Sequence, residues 1–158
     1  MAAGKWKVYD KAKLRLADGT FDMDNASLGL TMALFLSTSN CETLGIGTGV
    51  YGDLTNEHAN GNGYTTGGVA LTGETWLNAT STSTFDCDNP EWTASGGSIV
   101  TRFAVIYCNA TVNTIVKPLL CVSLLDVTPA DITVTDGNIL RVNISATGVF
   151  TLTGAISD

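Results

Sequence analysis

Ser98-Ile99-Val100-Thr101-Arg102-Phe103-Ala104-Val105-Ile106-Tyr107-Cys108 and Lys117-Pro118-Leu119-Leu120-Cys121-Val122-Ser123-Leu124-Leu125 decide the fold of this chain. The first run is β-branched and aromatic, and it is apolar on both alternating faces. That describes a central strand covered above and below, not a half-wet edge. The second run reads as its antiparallel partner, with the polar insert Asn109-Ala110-Thr111-Val112-Asn113-Thr114 between them. Gly96-Gly97 ahead and Asp126-Val127-Thr128-Pro129-Ala130-Asp131 behind supply the turn chemistry that bounds the hairpin. A hairpin this apolar requires a second layer about 10 Å away. Phe103, Val105, Leu120, Val122 and Leu124 are its expected core residues.

The flanking chain is able to supply that layer. Trp6-Lys7-Val8-Tyr9 and Ala12-Lys13-Leu14-Arg15-Leu16 alternate as strands do, and Leu28 to Leu36 forms another apolar run that the β context assigns to a strand. Further short strands are expected around Val69-Ala70-Leu71, Thr75-Trp76-Leu77, Thr84-Phe85-Asp86-Cys87, Glu91-Trp92-Thr93-Ala94, Ile132-Thr133-Val134, Ile139 to Ser145 and Gly148 to Leu152. Residues 37–63 carry six glycines and no clear element apart from a possible helical turn at 53–59. A loop of that length is functional or mobile. About eight to ten strands in one chain point to an all-β fold, an antiparallel β-sandwich of jelly-roll type.

With 158 residues the chain is one domain by size, long enough to bury roughly 70% of its unfolded surface without a metal or disulfide staple. The expected division is 1–15 as a basic N-terminal arm or first strands and 16–158 as a single β-sandwich domain. Cys41, Cys87, Cys108 and Cys121 form no CxxC pair and no zinc-like spacing, so they read as reduced thiols. No apolar segment or cleavage site of a secretory leader follows Lys5, Lys7, Lys11 and Lys13, and no apolar run is long enough to span a bilayer. Synthesis in a cytosol and no membrane partner are therefore expected.

Charge is unevenly placed. Residues 1–15 carry Lys5, Lys7, Lys11, Lys13 and Arg15 against Asp10, or +4, while residues 16–158 carry three basic and fourteen acidic groups, or −11; the sum is −7. A basic end on an acidic body suits docking on an acidic neighbour. Lys5, Trp6, Lys7, Tyr9, Lys11, Lys13 and Arg15 are accordingly the candidate partner-binding residues, with a solvated N-terminus or a first strand as the plainer readings. The acidic body would repel phosphates, so nucleic acid is not an expected partner.

Catalytic and ligand motifs fail one by one. Gly45-Ile46-Gly47-Thr48-Gly49-Val50-Tyr51-Gly52 lacks the Gly-Lys-Ser/Thr and following helix of a phosphate loop. His58 is the single histidine, placed by its polar neighbours in a surface turn, so a Ser-His-Asp device has little to work with. Asp22-Met23-Asp24 and Asp86-Cys87-Asp88 read as turn-making carboxylates, not as a calcium loop. Trp6, Trp76 and Trp92 would serve either as a sugar-stacking platform or as core and interface anchors. No catalytic residue, metal or cofactor is expected.

Three stretches resemble a family of small structural proteins of tailed-bacteriophage particles. They are Thr55-Asn56-Glu57 running on to Asn60-Gly61-Asn62-Gly63-Tyr64-Thr65-Thr66-Gly67-Gly68, then Gly73-Glu74-Thr75-Trp76, then Trp92 to Val100 with Arg102-Phe103-Ala104-Val105-Ile106-Tyr107. Tyr9-Asp10-Lys11-Ala12-Lys13 and Thr128-Pro129-Ala130-Asp131 fit the same pattern, and residues 41–52 depart from it in a longer glycine-rich segment. The resemblance implies a non-enzymatic virion component of head decoration or cement type. It would bind the major capsid protein and copies of itself, as a homotrimer where coat subunits meet. The alternative is a tail- or fibre-associated carbohydrate-binding or adaptor module.

Overall fold

The computed structural model describes residues 4–23, 28–79, 81–126 and 131–153. Its centre is a five-stranded antiparallel sheet built from β1 (Lys7–Val8), β2 (Leu30–Phe35), β3 (Val69–Ala70), β8 (Phe103–Cys108) and β11 (Leu119–Leu124), in the order β1-β11-β8-β2-β3. The two deciding runs do pair. Val122 faces Val105 and Leu124 faces Phe103, with a register shift between Leu119 and Cys121. On its other side β8 is matched residue for residue by β2, from Leu30↔Cys108 to Phe35↔Phe103. All six residues of β8 and all six of β2 are buried, as the two-faced apolarity of the first run requires.

The 98–108 run is not one strand. It breaks at Arg102, whose amide donates to the Phe35 carbonyl at 2.8 Å, and the preceding piece, β7 (Ile99–Thr101), pairs with β12 (Ile132–Val134) in a different sheet. Thr101 Oγ1 also donates to the Phe35 carbonyl, at 3.0 Å, which pins the bend to the end of β2. The remaining strands form smaller antiparallel sheets: β4 (Thr75–Ala79), β5 (Thr82–Asp86) and β14 (Phe150–Thr153) in the order β14-β5-β4, then β6 (Glu91–Thr93) with β13 (Ile139–Arg141), and β9 (Thr111–Val112) with β10 (Ile115–Val116). The all-β class is thus as expected, and outside the main sheet the strands are divided among short antiparallel sheets. Trp92 opposite Leu140 and Phe85 opposite Phe150 are buried rows from these sheets that join the main sheet in one apolar cluster. Within the five expected core positions, Phe103, Val105, Leu120 and Val122 are buried and Leu124 is half-buried.

Two expectations are corrected. Residues 12–16 are not a strand but lie in an α-helix, α1 (Asp10–Ala17). Asp10-Lys11-Ala12-Lys13-Leu14-Arg15-Leu16-Ala17 consists mostly of good helix formers, and the buried positions Ala12 and Arg15 are three apart, a helical spacing, whereas the alternating reading groups Ala12 with Leu14 and Leu16 and Leu14 is exposed. Asp10 in the first turn and Arg15 in the last complement the helix dipole. The helical turn expected at 53–59 falls earlier, as a 3-10 turn at Tyr51–Asp53, because the Asp53 carboxylate accepts from the Val50 amide and the Thr48 hydroxyl. The polar insert 109–114 that joins the two runs opens a small hairpin, β9–β10. The turn expected at 126–131 lies largely outside the described residues, as does Asp24.

Two glycines of the 60–68 stretch are fixed by close approach. A Cβ on Gly68, at φ 84°, would stand 1.8 Å from the Met32 carbonyl oxygen, and one on Gly63, at φ 85°, would stand 1.9 Å from that of Thr93. Those glycines let the chain lie directly on β2 and on the end of β6.

Truncating Phe103, which is paired on both sides, removes a ring no neighbour can replace. Phe103→Ala is expected to cost about 3–5 kcal/mol, read as a lower denaturation midpoint at unchanged denaturant slope.

Candidate partner-binding surface

Residues 4–9 belong to the main sheet. Besides the β1–β11 pairs Lys7↔Val122 and Val8↔Cys121, the Gly4 amide donates to the Leu124 carbonyl at 2.6 Å, the Ser123 hydroxyl to the Gly4 carbonyl at 2.8 Å, and the Tyr9 amide to the Leu120 carbonyl at 3.1 Å. The segment is therefore a first strand, and the free arm is corrected. Tyr9 is fully buried and its hydroxyl donates to the Cys41 carbonyl at 2.7 Å; burial, with Cys41 and Cys121 near, drives its ionisation far above the ordinary range.

The seven candidate residues separate into two roles. Tyr9 and Arg15 are structural. Arg15 is buried, and its guanidinium donates from Nη1 to the Gly49 carbonyl at 2.6 Å and from Nη2 to the Thr48 carbonyl at 2.8 Å. Burial lowers its pKa, against the opposing pull of Asp18 and Asp53. It clamps the glycine-rich 45–52 segment, which is tied on its other side by the Leu119 amide donating to the Gly49 carbonyl and the Tyr51 amide to that of Lys117. Lys5, Lys7, Lys11 and Lys13 are exposed and form the basic surface. Within it Lys7 lies 3.7 Å from Glu42 and Lys13 2.9 Å from Asp10, pairs too exposed to hold their partners tightly.

Trp6 is half-buried and, with Gly4, Lys5 and Val8, forms one wall of an open groove of about 620 Å³; the other wall is 147–151 and Ser145. This second wall carries no sequence signal, because Thr147-Gly148-Val149-Phe150-Thr151 reads simply as turn and strand. Trp92 is buried beside Tyr64, at 6.4 Å between rings, and Trp76 rests against Phe150 at 6.0 Å. Trp92 is thus a core residue and takes no part in a sugar platform. The Asp86 and Asp88 carboxylates accept from the Cys87 amide and the Thr72 hydroxyl, each at 2.9 Å, which is turn-making. The four thiols are free and buried, and burial pushes them up, Cys41 to about 11 and Cys87 to about 12, so they are poor nucleophiles.

A densely connected carboxylate was invisible in the sequence. The Glu57 carboxylate accepts at Oε1 from the Tyr64 hydroxyl and the Gly67 amide, both at 2.6 Å, and at Oε2 from the Tyr51 hydroxyl. Tyr51 stacks on Tyr107 at 4.3 Å, and the Tyr107 hydroxyl donates to the Gly67 carbonyl at 2.9 Å. Burial and the carboxylate keep the three phenols protonated, Tyr107 being pushed up to about 12. Every hydroxyl here is engaged within the protein, so the cluster holds the 51–68 segment against the sheet. His58 beside it is buried, not exposed as expected. Its ring meets Tyr64 edge-on at 5.1 Å and bonds the Val100 carbonyl, while Nε2 has no partner among the described residues.

No family model, curated protein or solved structure matches this chain. The reading of its surface therefore rests on its own residues.

Removing the Glu57 carboxylate strands three donors. Glu57→Ala is expected to lower stability by about 3 kcal/mol in chemical denaturation, with Glu57→Gln losing less. His58 gives a pH dependence of definite sign. Burial lowers its pKa below the ordinary 6.5, so the unfolded chain takes up a proton that the folded state refuses. Its contribution is full above about pH 6.5 and falls as the pH drops toward the folded pKa. Melting curves from pH 7 to 5 are expected to decline less steeply for His58→Phe than for the parent protein.

Proposed function

We propose that this protein is a non-enzymatic structural component of a bacteriophage particle, a decoration or cement protein that binds the outer shell and stabilises it. The observation that carries the reading is the set of four exposed lysines, Lys5, Lys7, Lys11 and Lys13, near the half-buried Trp6, on a body that is otherwise acidic. The major capsid protein would be the partner on that side. Copies of the same chain, in a homotrimer at the junctions of coat subunits, would be the other. The protein would be made in the host cytoplasm and end in the virion.

The resemblance to virion proteins supports this reading through the residues that carry it. Glu57, Tyr64, Gly67, Gly68, Trp92, Phe103 and Tyr107 are the tyrosine–carboxylate cluster, the close glycine contact and the core of this fold. A shared scaffold with a variable surface is what such a family requires. Each exposed lysine would add only about 0.2–1 kcal/mol against an acidic shell, so an apolar anchor is needed, and Trp6 is the one aromatic placed beside the lysines.

Deleting 1–9 is a poor test, because it removes β1 and the buried Tyr9. Charge reversal at Lys5, Lys7, Lys11 and Lys13 leaves the core intact. The measurement is co-sedimentation and native mass of the purified protein with empty shells assembled from the coat protein of the same genome. The parent protein is expected to bind in a salt-sensitive way. The reversed variant and Trp6→Ala are expected to bind at least tenfold more weakly while melting within a few degrees of the parent. A parent protein that fails to bind shells would overturn the reading.

A further inference from the structure

Along the outer edge of β2, β3 meets Thr31 and Met32 and goes no further. The rest of that edge is closed by a segment that is not a regular strand. Glu57 bridges Phe35, the His58 amide donates to the Leu34 carbonyl at 2.9 Å, and the Leu36 amide donates to the Asn56 carbonyl at 3.0 Å. The Leu34 amide donates to the Tyr64 hydroxyl, also at 3.0 Å. Between Thr55 and Thr66 two side chains are buried, His58 and Tyr64, and their rings meet edge-on at 5.1 Å. This pair anchors the segment that covers the Leu34–Leu36 half of the edge.

His58 fits its place in one protonation state. One ring nitrogen bonds the Val100 carbonyl of β7, and Nε2 is the buried side-chain nitrogen that has no partner among the described residues. On a neutral ring Nε2 is a lone pair; on a protonated ring it becomes a charged donor facing no acceptor, which costs far more. The groups around it cannot supply one. Glu57 is the carboxylate beside the ring, and its oxygens already accept from Tyr51, Tyr64 and Gly67. Tyr64 is held neutral, β2 and β7 present backbone, and β6 adds Trp92 behind Tyr64. We propose that His58 is an acid-operated latch: its protonation releases residues 55–66 from β2, with His58 and Tyr64 leaving together, and uncovers the Leu34–Leu36 edge of the main sheet. Local release is the cheaper way to hydrate the ring, because it gives up two buried side chains and not the core around β8. The released ring takes up its proton near the ordinary 6.5 and the closed one only at lower pH, so the closed form loses ground below about pH 6.5.

Native-state hydrogen exchange of the full chain, read as protection factors from pH 7 to pH 5, tests the latch. The amides of Leu34, Leu36 and His58 are the reporters, since each bond they make joins β2 to the released segment. Val105 and Ile106 of β8 are the reference. In the parent protein the reporters are expected to lose at least tenfold more protection than the reference as the pH falls. In His58→Phe, which keeps a ring but cannot take up a proton, reporters and reference are expected to change together. His58→Gln is the second neutral variant should His58→Phe misfold. Parent reporters that keep pace with β8 would show that acid opens the whole domain at once, and the latch is overturned. An excess loss that persists in the neutral variants belongs to another titrating group and overturns it equally.

Discussion

A six-residue strand that is buried on both faces and paired along both edges can exist only inside something else, and β8 is such a strand. Its edges demand β11 and β2, and its faces demand cover. Each fully buried Val, Ile or Phe contributes about 1.5–3 kcal/mol, so leaving β8 uncovered would forfeit an amount comparable to the whole net stability of a domain this size, about 5–15 kcal/mol. The short sheets, the helix and the long glycine-rich segment are the means by which a chain with few long strands covers that one.

The cover is held by polar groups used sparingly. Glu57 gathers two phenols and an amide of its own irregular segment, which is joined to the sheet by the Leu34 amide donating to the Tyr64 hydroxyl and the Tyr107 hydroxyl donating to the Gly67 carbonyl, and Arg15 ties two carbonyls of the glycine-rich segment to α1. Charge-assisted hydrogen bonds of this kind are stronger than neutral ones, and removing either partner leaves buried groups without a match. They explain how residues 45–68 can be irregular in backbone yet fixed in place. Glycines at 63 and 68 allow the approach, and the carboxylate and guanidinium secure it.

This arrangement leaves the surface free to differ. The exposed lysines lie in and near β1 and α1, Lys5 and Trp6 share a groove with Phe150 and Thr151 of β14, and none of these enters the tyrosine–carboxylate cluster. A protein whose Glu57, Tyr51, Tyr64 and Tyr107 are engaged with one another and whose thiols are held protonated offers its exterior for interaction, in charge and in exposed leucines.

The sequence by itself determined the β class, the pairing of the two apolar runs and the burial of Phe103, Val105, Leu120 and Val122, because two-faced apolarity over consecutive residues is a local pattern with few solutions. It also determined the charge asymmetry, which depends only on composition. The tertiary structure alone decided that 10–17 is a helix, since Ala12, Leu14 and Leu16 alternate as a strand does while Ala12 and Arg15 keep a helical spacing, and the contact of Arg15 with Gly49 and Thr48 selects the helix. It alone decided that His58 is buried, that Arg15 and Tyr9 are clamps instead of docking groups, and that Glu57 joins Tyr51 and Tyr64 beneath Tyr107. Those partners lie from 6 to 50 residues apart at no regular spacing, so what unites them is the path of the folded chain and not any period in the sequence.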